Sequence, residues 1–208
     1  MTSASAKPLR LENRHTGEVL ELRRRRKGRE SFLELWGSLP PHREGPPMHI
    51  HFFEDEAGRV ISGTLSAVID GKTISVGAGE DVVLPRGIPH RWWNAGNETL
   101  VFDGTVRPGV DLDRYLQAIF EVMNAGAKDR PSLFYLAHIS LRHRRTQTVL
   151  VMPRLIQAIV FRVAIALGTI LGKYRGTAWP GCPARCTGAP DVDERSQPQS
   201  SEGWRGGH

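Results

Sequence analysis

The residues best able to do chemistry lie between Gly45 and Asn94. In Met48-His49-Ile50-His51 the histidines are two apart, so on a strand both face one way while Met48 and Ile50 face the other. Two imidazoles on one face make half of a metal site. Glu56 follows five residues after His51, a distance that lets the next strand return a carboxylate beside them. Farther on, Pro85, Gly87 and Pro89 spell a tight turn that delivers a third imidazole, His90, at the start of a strand. Three imidazoles and a carboxylate suit Fe(II), Mn, Ni, Co or Zn, and affinity order does not choose among them. Without a metal the four would be polar core residues, costly to bury unpaired.

Positioning these residues requires short strands. From Leu9 to Val106 apolar and polar residues alternate in runs punctuated by Gly, Pro, Asn or Asp, the pattern of an antiparallel sandwich or barrel. Strands are expected over 18–22, 31–36, 59–61, 65–69, 72–76, 81–84, 90–94 and 99–106, with the basic run Arg23 to Lys27 between the first two. Asp70-Gly71 marks a two-residue hairpin. At Arg107-Pro108-Gly109 the period changes. Leu112, Tyr115, Leu116, Ile119, Phe120 and Met123 recur at helical spacing within 111–124, with Asp111 as candidate N-cap. Further helices are expected over 132–142 and 153–174, the last nearly all apolar beside a narrow stripe of Arg154, Gln157, Arg162, Thr169 and Lys173.

The two chemical segments resemble the cupin superfamily, whose motifs are G-x5-H-x-H-x3,4-E-x6-G and G-x5-P-x-G-x2-H-x3-N. The second matches at Gly79, Pro85, Gly87, His90 and Asn94; the first matches at His49, His51, Glu56 and Gly63, with its leading glycine displaced to Gly45. The resemblance covers about residues 9–107. It implies a mainly β fold, a double-stranded β-helix (jelly roll) with a C-terminal helical extension, and one divalent transition metal held by His49, His51, Glu56 and His90. The expected division is a flexible N-terminus at 1–8, the barrel at 9–107, the helical extension at 108–175 and a disordered tail at 176–208. Strand alternation turns Trp92 and Asn94 inward, and Phe53 with them if the His49 strand persists, making these three the expected substrate pocket.

Other features are set aside. The 208 residues, 39% hydrophobic and 24% charged, allow one domain with an extension and exclude a large multidomain enzyme. A formal charge of +6 permits an anionic partner without requiring one. The arginine run lacks an aromatic stacking platform, which argues against nucleic acid. Cys182 and Cys186 have no partner pair for zinc. No apolar stretch opens the sequence, so the expected location is cytoplasmic. A spanning helix at 153–174 would place Arg162 near the bilayer centre at about 2.5–3.5 kcal/mol. Packing on the barrel or on a second copy is preferred, with association in the membrane plane next.

The resulting expectation is a metal-dependent small-molecule enzyme, a dioxygenase acting on an aromatic or polyketide-like compound, with Glu56 also available as a base. The alternatives are a non-catalytic metal or ligand-binding module and a Lewis-acid isomerase or cyclase. A homodimer is expected to cover the apolar helices.

Overall fold

Asp70 and Gly71 take φ values of 51° and 74°, the left-handed pair that a two-residue hairpin requires. They join two strands at the register Ile69↔Lys72. A computed structural model describes residues 7–174. In chain order its strands are β1 (Leu9–Glu12), β2 (Val19–Lys27), β3 (Glu30–Leu39), β4 (Arg43–Glu44), β5 (His49–His51), β6 (Asp55–Ser62), β7 (Thr64–Ile69), β8 (Lys72–Gly77), β9 (Asp81–Leu84), β10 (His90–Asn94) and β11 (Leu100–Arg107). Helices α1 (Leu112–Ala125) and α2 (Leu133–Arg142) follow, then a twelfth strand, β12 (Gln147–Val149), and α3 (Arg154–Ile170). The expected tail at 176–208, with Cys182 and Cys186, lies outside the described residues, as do residues 1–6.

One antiparallel sheet runs β1-β2-β3-β11-β6-β9 and the other β12-β5-β10-β7-β8, with β4 beside β10. Between them pack Leu20, Leu33, Val60, Leu65, Leu100 and Val106. This is the mainly β, two-sheet barrel with helices after it that the alternation predicts.

Three local expectations are corrected. The basic run does not lie between strands, because β2 continues through Lys27 and pairs with β3 from Val19↔Ser38 to Lys27↔Glu30. Its arginines find partners along that ladder and beyond: Arg25 Nε donates to Glu34 Oε2 at 2.8 Å, and Arg24 donates to Gly109 O and pairs with Asp113 at 2.7 Å. Asp111 occupies the N-cap position of α1 without a capping hydrogen bond; its Oδ2 accepts instead from His143 Nδ1 at 2.6 Å. Gln157, expected on a polar outer stripe, is buried, and its Nε2 donates to Val149 O at 2.8 Å.

The largest difference concerns the extension. The first helix after the barrel helps to build the barrel's core, since Leu112, Phe120 and Met123 of α1 belong to the barrel's own apolar cluster. Residues 147–149 then add a strand to the second sheet at the register Gln147↔His51, Thr148↔Ile50 and Val149↔His49. No alternation longer than three residues announces β12, so periodicity could not find it. Behind β12, Val149 packs with Ala137 of α2 and with Phe161 and Ala164 of α3. The helices are thus layered onto the barrel through β12 and α1.

Candidate metal centre

Three strands from two sheets carry the four candidate ligands. His49 on β5 lies opposite His90 on β10, which puts both side chains on one face. Glu56 comes from the facing sheet, where β6 pairs with β9 at Glu56↔Leu84 and with β11 at Val106↔Glu56. One ligand atom from each of His49, His51, Glu56 and His90 lies within 4.8 Å of every other.

Backbone contacts aim the imidazoles. His49 Nδ1 lies 2.8 Å from Pro47 O and His90 Nδ1 lies 2.9 Å from Ile88 O. A carbonyl oxygen can only accept, so each Nδ1 carries the proton and each Nε2 presents a lone pair to the centre. The turn before His90 is docked on the neighbouring ligand strand: Gly87 N donates to His51 O at 2.7 Å. Gly87 makes that turn at φ 76°, a conformation that side chains with a Cβ resist. Gly45, the displaced motif glycine, passes close to β10, where a Cβ would lie 2.6 Å from Trp92 O.

His51 is held differently. Its Nδ1 stands 3.5 Å from Glu54 Oε2, and its Nε2 stands 3.1 Å from Glu56 Oε1. Glu54 is fully buried, and its other oxygen accepts from Val110 N at 2.7 Å. Glu54 was missed by the sequence reading, since three acids follow in a row and spacing alone singles out only Glu56. Gln147, buried opposite His51 on β12, was also missed.

Electrostatics follow from burial and crowding. Burial lowers His49 to about 3, helped by the positive character of His51 and His90. Burial also pulls His51 down, but the carboxylates of Glu54 and Glu56 outweigh it and raise this imidazole above its ordinary value. Burial works to raise Glu56, and His51 overcomes it and holds the carboxyl low. The free protein therefore stores one proton between His51 and Glu56. Among the described residues, buried His90 Nε2 has no hydrogen-bond partner. Unpaired nitrogens cost stability unless something accepts their lone pairs. Neutral imidazoles with a carboxylate fit a divalent transition metal.

The three pocket candidates part company. Trp92 is buried and packs edge-on against Phe102 at 5.1 Å between ring centres. It lines a cavity of about 40 Å³ together with Leu35, Glu56, Leu65, Leu84 and Phe102. Phe53 is corrected: β5 ends at His51, the chain bends, and the ring is 52% exposed. Asn94 points inward but is used by the backbone, its Nδ2 donating to Leu39 O, Pro40 O and Glu98 O and its Oδ1 accepting from Gly96 N. No amide hydrogen is left over for a ligand. Asn94 locks the β10 to β11 turn.

With this geometry in view, comparison with known proteins bears on the segment that carries the site. Residues 35–106, which include both motifs, are matched as a cupin domain. A curated relative, the oxidoreductase iacF of Pestalotiopsis fici, is 38% identical over 79 residues, covering 36% of this chain and 39% of the relative. This cupin therefore matches only about two fifths of that protein's length. Among solved structures, a predicted oxalate decarboxylase from Thermotoga maritima shares 24% identity at a TM-score of 0.39, covering 51% of this cupin and 97% of that chain. The cupin domain of Schizosaccharomyces pombe Cnp3 shares 18% at a TM-score of 0.38, covering 46% and 68%.

Proposed function

We propose that this cupin is a metal-dependent oxidoreductase of dioxygenase type acting on an aromatic or polyketide-like small molecule. The observation that carries the reading is the convergence of three imidazole nitrogens and the Glu56 carboxylate, with His90 Nε2 buried and left without a hydrogen-bond partner. The likeness to an oxidoreductase over 79 residues supports the reaction class. A bound metal would supply Lewis acidity and an open position for a substrate oxygen or dioxygen.

The chain's own part centres on Glu56. Of the four candidate ligands, Glu56 alone also lines the apolar cavity, beside Trp92, Phe102 and Leu65. A carboxylate that belongs both to the ligand cluster and to the cavity lining can receive a proton from a substrate hydroxyl. Trp92 and Phe102 wall the cavity, exclude water and orient a flat substrate edge. A cavity of about 40 Å³ holds a few water-sized molecules, so only the reacting end of the substrate enters. That small volume also favours a second reading, a non-catalytic metal-binding module.

Two measurements separate these. Metal analysis of protein purified without added metal is expected to find one divalent transition metal per chain. Oxygen uptake by the metal-loaded protein over a panel of phenolic and polyketide-like compounds is expected to find a substrate, with uptake lost in Glu56→Gln. Metal at full occupancy with no uptake on any compound would leave the binding module.

A further inference from the structure

Helix α3 buries one stripe and exposes another. Gln157, Phe161, Ala164 and Gly168 face inward. On the opposite side, at 3.6 residues per turn, Leu155, Ile156, Ile159, Val163, Leu167 and Ile170 face solvent, with Leu155 82%, Ile159 65% and Ile170 76% exposed. Leu171 continues this face beyond the helix. A row of seven large aliphatic side chains is more than a soluble surface ordinarily leaves open.

Charge identifies what would cover it. Between residues 130 and 190 there are nine Lys and Arg and no Asp or Glu. The remainder of the chain holds nineteen Lys and Arg against twenty-two acids, so the whole basic excess belongs to this stretch. Arg154 and Arg162 lie along α3 and Lys173 just past its end. Arg162 borders the apolar row, its Nη1 donating back to Ala158 O at 2.9 Å. A second copy would bring two such faces together with no acid between residues 130 and 190 to offset the arginines. An anionic lipid surface satisfies both features, since its acyl region takes the aliphatic row and its headgroups take the cations.

We infer that α3 docks this cupin in the plane of an anionic membrane. A crossing is excluded for this helix, because 17 residues span about 25 Å against a hydrocarbon core of about 30 Å, and no described helix is long and apolar enough to cross. Lying flat, α3 sinks its outer row while α2 and β12 hold the inner one.

The test is flotation of the full chain with vesicles of phosphatidylcholine alone and of phosphatidylcholine mixed with phosphatidylglycerol. Binding to the mixed vesicles is expected, weakened by salt and lowered at least tenfold in Ile159→Gln/Val163→Gln. Both positions are exposed, so the variant should keep its melting temperature and metal content. Light scattering on the same samples gives the competing outcome: a stable dimer dissociated by the double substitution would show that a second copy covers the face. That result overturns the inference, as would flotation unaffected by the substitutions or absent from the mixed vesicles.

Discussion

At the scale of single residues, the metal centre depends on how each imidazole is aimed. Pro47 O and Ile88 O set His49 and His90, whereas His51 relies on Glu54. Removing a ligand should therefore differ from removing a support. His51→Ala or His90→Ala is expected to abolish metal retention, measured by elemental analysis after dialysis. Glu54→Gln should keep the ligands and weaken affinity about 10- to 100-fold, read by competition with a chromogenic chelator; unchanged affinity would reduce Glu54 to a tie for Val110. A second buried acid is unrelated to the site. Burial raises Glu18 from 4.5 to about 7, so the folded chain holds a proton there that the unfolded chain has released. The stability this group contributes is full below pH 4.5 and is lost as pH rises through 7. Glu18→Gln should accordingly stabilise the protein at pH 8, by at most about 3 kcal/mol, and give no gain at pH 4. Denaturant melts at the two pH values test this.

At the scale of elements, the extension is part of the barrel's stability. Phe120 is 4% exposed within the same cluster as Leu33 and Val106, so Phe120→Ala should cost about 3–5 kcal/mol. A chain ended after Pro108 loses that side chain and β12 together, and should be insoluble or partly unfolded by circular dichroism. A folded, metal-retaining barrel of that length would contradict the packing described. The Asp111–His143 contact ties the start of α1 to the end of α2. His143 helps hold the Asp111 carboxyl below 3.8 against the opposing effect of burial. Stability from this carboxyl is present above pH 3.8 and lost as pH falls through its lowered value. Asp111→Asn should be less stable than the parent at pH 7, with the difference closing in strong acid.

At the scale of the whole molecule, the candidate ligands join the two sheets, His49, His51 and His90 from one and Glu56 from the other. A metal bound there acts as a staple. Loading at about 100 times the dissociation constant should add roughly 2.7 kcal/mol, seen as a rise in melting temperature that a chelator reverses. Charge is divided on the same scale, with nine basic and no acidic residues over 130–190 and a slight acidic excess in the rest of the sequence.

The sequence by itself determined the barrel and the candidate ligand set, because strand alternation and tight turns are local and the His49, His51, Glu56 and His90 spacings sit within them. The hairpin at Asp70-Gly71 and the helix positions were legible for the same reason, their signals spanning a few residues. Contacts between distant segments were not. Glu54 is one of three consecutive acids, and only its burial against Val110 N and His51 distinguishes it. Phe53 left the pocket because β5 stops two residues earlier than simple alternation would carry it. Asn94 fits its motif, yet its hydrogen bonds to Leu39 and Pro40 join segments more than fifty positions apart. β12 is three residues long and pairs with a strand nearly a hundred positions away, so its existence depends on the β5 edge being open. The face of α3 was decided the same way: the sequence showed a helix nearly all apolar beside a narrow polar stripe, and only packing against α2 and β12 chose which side the protein buries.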